Sequence, residues 1–430
     1  MSMWHEEDLR VKTHSYQAGD QAELTIDEVV FGGEGLARLE GLVVFVPGVA
    51  EGERVRVEIT QVKKDFLRAE LIEILISSPH RIVPRCSIYG RSGGCQYQHI
   101  DYDAQLRIKE SQIRDVLERI GRFKNVLMKP IIRSPLPWAY RTRVDFHVRL
   151  KDNEIKVGFV ENDGRTVVEV GECPISTAGI NQSLQSLRES LQKGLSEMPN
   201  WVRNLKFWDS RDGVQYILMN SRGDIDLRGI EFVRLSVSDM EFKVPPLSFF
   251  QVNIGMIESM VKCMDEFFCF SGKEFLLDAY CGVGLFTLLL AKKVRRSMGI
   301  ESDTQAIEFA KRNARENGLI NCEFLAKSVE KISKHPEKYL DEKPDCVILD
   351  PTRAGCERVV LDALLDMGPE KIAYVSCHPP TLARDLEILC QEGYHLSQVQ
   401  PMDLFPQTKH CEVIACLEKN SMLISKVLCS

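Results

Sequence analysis

The sequence predicts an α/β protein: a Rossmann-like, doubly wound C-terminal domain, a small N-terminal β-barrel of the OB type, and a β-rich domain between them. Three observations carry this. From residue 253 onward, apolar strands alternate with helical stretches, the pattern of a parallel sheet covered by helices. Residues 24–76 are short β-rich segments punctuated by Gly32, Gly33, Gly35, Gly41, Gly48 and Gly52, which reads as a small closed barrel. Residues 136–242 are again mostly strand-like, in YRTRVDFHVRL, IKVGFV, NLKFWD and VQYILMN. A chain of 430 residues is long enough for about two to four domains.

In chain order, residues 1–20 are polar and read as a loose arm, and the barrel follows over 21–78. Residues 79–242 form the central β-rich domain. It opens on an irregular Cys- and Gly-containing stretch, PHRIVPRCSIYGRSGGCQYQ, and continues into a helical pattern over 101–120. That helix, within about 99–122, is open to packing on the catalytic domain despite its place in the sequence. A second helix is expected over 177–195 and a long one over 253–270, with the last domain occupying 243–430. No apolar run approaches the ~20 residues of a membrane span, and the opening MSMWHEEDLRVKTHSYQ lacks a signal-peptide core. Fourteen scattered cysteines do not resemble a secreted disulfide framework. A cytoplasmic monomer with reduced thiols and no membrane contact is expected.

The most informative stretch is FLLDAYCGVGLFTLLLA. A buried strand reaches Asp278, turns through glycine and enters a helix at Leu285; the next strand ends in Glu301, nineteen residues beyond Gly282. Glycines let the backbone approach a ligand, and an acid at the second strand's end takes a ribose hydroxyl pair. The third glycine of a dinucleotide fingerprint is replaced by Thr287. A cofactor with ribose and adenine but no pyrophosphate needs no third glycine, and S-adenosylmethionine (SAM) is such a cofactor. The competing reading is an ordinary strand–helix turn. Two later strands end at Asp350 (CVILD) and Cys377 (KIAYVSC), and ligands of open parallel sheets sit beyond the carboxyl ends of their strands.

Methyl transfer from a sulfonium needs positioning more than acid or base, so a thiol at the centre demands a reason. C5 of a pyrimidine supplies one. Thiolate attack at C6 makes C5 nucleophilic, and a base must afterwards remove the C5 proton. Glu412, in PQTKHCEVIACL on the strand read as following the sheet, is the candidate base; taken alone, it reads more readily as a surface acid.

LDAYCGVGLFT, DPTRAG, YVSCHPPTLARDL, SFFQVN and the FP-x-T-x-H-x-E ending resemble the RNA 5-methyluridine methyltransferase family. The N-terminal segment similarly resembles a TRAM domain, as in the 23S rRNA uracil-C5 enzymes. The resemblance runs from about residue 20 onward. It implies Cys377 as the nucleophile, Glu412 as the base, and Gln251, Tyr280, Glu301 and Asp350 as SAM contacts. Cys281 matches no catalytic role. His378 replaces the usual asparagine after the nucleophile and either lowers the thiol pKa or bonds locally. Ser328 stands where an acid or amide is common. Family members often hold a 4Fe–4S cluster on C-x5-C-x2-C plus a distant Cys-Pro; here Cys86, Cys95 and Cys173 match, and Ser92 replaces the remaining ligand. Three thiolates either hold a cluster weakly or hold none.

The net charge of −7 excludes a uniformly basic coat. Locally, Arg122, Lys124, Lys129, Arg133, Arg141, Arg143, Arg149 and Lys151 face one acid, Asp145, with Phe123, Trp138, Tyr140 and Phe146 interleaved. This stripe is expected to track phosphates, with rings free to stack on bases; the plainer reading is a solvated strand face. The expected partner is structured RNA, rRNA before tRNA, presenting an unpaired or flipped-out uridine. The rival readings are an inactive RNA-binding factor and a small-molecule methyltransferase, and the latter needs neither barrel nor basic segment.

Overall fold

The computed structural model describes residues 16–151, 154–193, 198–220 and 222–420; the side chain of Lys151 and most of the expected N-terminal arm lie outside them. The described residues up to Val83, with His99–Asp101, form one compact unit, and Pro84–Gln98 with Tyr102 onward form another.

In the first unit, β1 (Gln21–Thr25), β2 (Glu28–Val29), β3 (Glu34–Leu39), β4 (Leu42–Pro47), β5 (Arg54–Val62) and β6 (Phe66–Ile76) build one sheet in the order β1-β5-β6-β4-β3-β2. It curls until β1 meets β3. Alternate residues Val44, Val46, Val55, Val57 and Ile59 fill its interior, the period-2 arrangement of strands with one buried face. Gly35 is needed for space, because a Cβ there would stand 2.2 Å from a Val49 methyl.

The second unit begins with the loop of residues 84–98 and helix α1 (Tyr102–Arg119). Ile113, Val116 and Leu117 of α1 share a core with Phe275, Leu277 and Leu386. Strands β7 (Arg143–Lys151), β8 (Glu154–Val160), β9 (Val167–Glu169), β10 (Asn204–Ser210), β11 (Gly213–Met219) and β12 (Ile225–Asp226) form an antiparallel sheet, order β12-β11-β10-β7-β8-β9. Helix α2 (Ala178–Gln192) covers it with Ile180, Leu184 and Leu187. The hairpin of β13 (Val233–Val237) and β14 (Met240–Val244) leads to α3 (Ile257–Phe268).

The C-terminal sheet and its helices are β15 (Phe275–Ala279), α4 (Leu285–Leu289), β16 (Arg296–Glu301), α5 (Thr304–Glu316), β17 (Cys322–Ala326), α6 (Val329–Ser333), β18 (Cys346–Leu349), α7 (Arg358–Met367), β19 (Lys371–Ser376), α8 (Pro379–Glu392), β20 (Tyr394–Met402) and β21 (Glu412–Lys419). Its order is β17-β16-β15-β18-β19-β21-β20. Strands β15 to β19 pair in parallel, and every residue of β15 and β18 is buried, as expected for a sheet covered on both faces. The reading of Glu412 as lying on a strand after the sheet needs correction. β21 is inserted antiparallel between β19 and β20, with Ser376 opposite Val413.

Candidate active site

The carboxyl ends of the parallel strands open into a cavity of about 870 Å3. Gln251, Tyr280, Glu301, Asp350, Cys377 and Glu412 all line it, as does Ser328. Asp278, fully buried on β15, accepts bonds from the Thr287 amide at 2.8 Å and hydroxyl at 2.5 Å, tying the strand to the start of α4. Burial pushes its carboxyl up to about 7, with the Thr287 bonds pulling the other way. Thr287, read from the sequence as a missing glycine, is thus an anchor for the turn. Between them Tyr280 sits at φ 69°, in the left-handed region that costs a non-glycine residue strain, and its hydroxyl donates to Glu330 at 3.0 Å. Gly284, at φ 86°, has no room for a side chain: a Cβ would stand 2.6 Å from Leu288. Glu301 accepts from the Gly282 amide at 3.3 Å and the Asp303 amide at 2.9 Å. Cys281 packs into the core; its sulfur would stand 2.6 Å from a Cβ on Gly299.

Asp350 follows β18 at the cavity wall, its carboxyl pushed up to about 7 by burial and secondarily by Asp278. The loop after it is clamped by α8. The Asp385 carboxylate is fully buried and accepts from the Cys356 amide (2.8 Å), the Tyr374 hydroxyl (2.6 Å) and Arg384 Nε (2.7 Å). Arg384 also donates to the Ala354 carbonyl and Thr381 to the Arg353 carbonyl, each at 3.0 Å. Gly355 lies beneath this clamp at φ 77°, and a Cβ there would stand 2.5 Å from Asp385.

Cys377 caps the end of β19. Burial pushes its thiol up to about 11 and nearby Glu412 adds to the rise, while the Arg353 guanidinium pulls it down by charge and hydrogen bond. His378 bonds locally: its Nδ1 meets Thr381 Oγ1 at 3.1 Å, and burial lowers its own pKa. Glu412 is 3 % exposed, which overturns its plain reading as a surface acid. Burial raises its carboxyl far above the ordinary range and Asp350 adds to it, with Arg353 opposing. Arg353 is therefore the cation that acts on both Cys377 and Glu412, and it stands 3.1 and 3.2 Å from the two ring nitrogens of His410. Sequence reasoning quoted both residues inside motifs and assigned them no role; the signal available was an arginine three residues beyond a strand-end acid.

A second cavity, of about 200 Å3, is lined by Cys86, Ser92, Cys95, Cys173, Arg141 and Arg143. Burial pushes Cys95 up to about 12. Among the described residues, no three His, Cys, Asp or Glu side chains are grouped to hold a metal ion. The three thiols share this cavity with Ser92, where a fourth thiolate would be needed. This donor set does not fit a four-thiolate iron–sulfur cluster.

The basic stripe also needs correction. Tyr140 and Phe146 are 4 % and 0 % exposed and belong to the core, so neither is free to stack on a base. Phe123 packs against the core beneath α1, and Trp138 lies under Arg85 at 4.6 Å. What remains is cationic: Arg141 lines the catalytic cavity, and Arg143 stacks between Trp208 and the exposed Phe249. No described helix is long and apolar enough to cross a membrane.

Residues 229–420 match the tRNA (uracil-5-)-methyltransferase family model and residues 17–72 the TRAM domain. An uncharacterized RNA methyltransferase of Synechocystis sp. is 34% identical, with 94% of this chain and 96% of that protein covered. One from Halalkalibacterium halodurans is 31% identical over 93% and 97%. The crystal structure of Pyrococcus abyssi tRNA (uracil-54, C5)-methyltransferase with S-adenosyl-L-homocysteine superposes with a TM-score of 0.73 at 28% identity, covering 92% of this chain and all of that one. The chain belongs to the RNA (uracil-C5)-methyltransferase family and carries its TRAM domain.

Proposed function

We propose that this enzyme methylates C5 of a single uridine in structured RNA, through covalent addition of Cys377 to C6. The observation that carries the reading is that Cys377, Glu412, Arg353 and the four expected SAM contacts line one cavity. SAM fits this donor set: Glu301 is the acid for a ribose hydroxyl pair, beside a turn with no phosphate cradle, and Gln251, Tyr280 and Asp350 complete the wall. When bound, the cofactor supplies an electrophilic methyl group.

The chain's own residues do the rest. Arg353 stabilises the Cys377 thiolate, which bonds to C6 as the C5–C6 π pair moves onto the O4 enolate. C5 then gains the methyl group. The Glu412 carboxylate takes the C5 proton, the freed pair rebuilds the C5–C6 double bond, and the Sγ–C6 bond breaks to return the thiolate. The target base must leave its stack to reach this depth. Arg141 stands at the cavity as a phosphate partner, and Arg143 lies beside it under Phe249, which also lines the cavity. The cysteines of the 84–98 loop take no part in this chemistry, although Gly93 and Gly94 of the same loop line the cavity.

Ribosomal RNA is favoured as substrate by the barrel and cysteine loop. A tRNA reading is favoured by the Pyrococcus structure. We assign residues 21–78 to the barrel, 79–242 to the central domain and 243–430 to the catalytic domain of a cytoplasmic monomer. Mapping 5-methyluridine in RNA from cells with and without the gene separates the readings, as loss at an rRNA site, a tRNA site or neither. Methyl transfer at the wild-type rate by Cys377→Ala would refute the covalent route.

A further inference from the structure

The loop between β20 and β21 carries Phe405, Thr408 and His410 into the catalytic cavity and leads into Glu412. Its anchors come from side chains far away in sequence. Lys109 of α1 donates to Asp403 at 2.6 Å and to the Phe405 carbonyl at 3.1 Å, and both charged side chains are fully buried. Gln105, one turn earlier, donates to the Gln407 side chain and accepts from the Gln407 amide, each at 3.0 Å. Gln407 is held at φ 68°, in the left-handed region. Asn253 fixes the Leu404 carbonyl and Tyr140 the Pro406 carbonyl, each at 3.0 Å.

Docking α1 does not require these polar groups, because Ile113, Val116 and Leu117 already bury it against the sheet. Removing an ammonium and a carboxylate from water is costly, and an apolar pair of similar volume is often as stable. What the ion pair adds is direction: a charged hydrogen bond fixes one atom to another, where an apolar contact would let the loop slide. A strained Gln407 bonded at both amide groups adds a second fixed point.

We propose that α1 is a positioning element for the catalytic loop, with Lys109 and Gln105 as positioning residues. Acting through Asp403, the Phe405 carbonyl and Gln407, they place His410 and the Glu412 carboxylate against the target base. This rests on Glu412 being the base that removes the C5 proton. A small displacement of the loop then slows proton removal more than it slows addition, because Cys377 sits on a different strand.

The test uses the full chain with pooled, unmodified 23S rRNA and tRNA transcripts. It compares Glu412→Gln, Gln105→Leu and the double variant Lys109→Met/Asp403→Leu, which removes both buried charges at similar volume. RNA-linked enzyme is counted on a denaturing gel beside kcat and KM. Glu412→Gln should accumulate the covalent adduct. Both α1 variants should do so too, with kcat lowered about ten- to a hundredfold and the KM for RNA within about twofold of wild type. Soluble α1 variants with wild-type kcat and no adduct, beside an adduct in Glu412→Gln, overturn the positioning role. Absence of adduct in Glu412→Gln overturns the base assignment instead. If the double variant fails to fold, Gln105→Leu, which disturbs no charge, decides alone.

Discussion

Asp385 offers a sharp test of how the catalytic loop after β18 is held. Its buried carboxylate is the common acceptor for the Cys356 amide, the Tyr374 hydroxyl and Arg384 Nε. Replacing it with alanine leaves the Cys356 amide with no acceptor and the Tyr374 hydroxyl with only the weak Cys356 sulfur, each costing about 1–3 kcal/mol. The third is more exposed at Arg384, which turns to solvent at little cost. The sum is about 4 kcal/mol. For a domain of this size that lowers the melting temperature by about 10 °C. Tyr374→Phe removes one bond and leaves the carboxylate two partners, so about 1 kcal/mol and about 3 °C are expected. Thermal melts of the three proteins give the order wild type, Tyr374→Phe, Asp385→Ala. Because Asp350 and Arg353 ride on this loop, kcat for RNA methylation should fall at least tenfold in Asp385→Ala at temperatures where it is folded. A melting point within about 2 °C of wild type, with unchanged kcat, would mean that the clamp contributes nothing and the reasoning is wrong.

Three further outcomes follow from the same geometry. With the Cys377 thiol pushed up to about 11 and Glu412 also raised, both anions that the proposed covalent route uses gain population as pH rises. Single-turnover methylation should therefore climb steadily between about pH 6 and 9, and a profile flat across that window would contradict a buried thiol as nucleophile. Asp278 is raised to about 7 from an ordinary carboxyl value, so the folded state holds its proton more tightly than the unfolded chain. That stability is complete below about pH 4 and lost as pH rises to about 7, on the order of 4 kcal/mol; in Asp278→Asn this part of the pH dependence should vanish from urea unfolding curves. Because three thiols and a serine do not make a cluster site, iron chelators should leave methyl transfer unchanged, and loss of activity together with a visible absorbance band would show otherwise.

Much of the catalytic half is written locally. A strand that ends near Asp278, a turn through glycines and a second strand that ends in Glu301 are contiguous signals, so the meeting of Tyr280, Gly282 and Glu301 in one cavity could be anticipated from spacing. The misreadings share a cause: burial is decided by partners distant in sequence. Tyr140 and Phe146 look available beside so many cations, yet Phe146 lies on the inner face of β7 against Phe207 at 5.5 Å. Glu412 looks like a surface acid because carboxylates rarely go inside, and only its strand's insertion into the sheet puts it there. The buried face of α1 carries Gln105, Lys109 and Gln112, so it shows no clean apolar stripe, and its partner loop lies almost three hundred residues downstream.

The antiparallel insertion of β21 has a consequence for how this catalytic pair can diversify. The proposed nucleophile, Cys377, leaves the sheet at the end of β19, and the proposed base, Glu412, arrives at the start of β21, one ladder rung away at Ser376 and Val413. Up to the β20–β21 loop, which re-enters the cavity, the chain between them, α8 and β20 with the turn that joins them, is an excursion that returns to a fixed address. Residues added at the exposed turn near Gln391 and Glu392 would lengthen the excursion without moving either reacting group. A single residue inserted within β21 after Glu412 would instead slip the register and turn the carboxylate to the opposite face. Descendants of this chain are free to vary in the first place and tightly bound in the second.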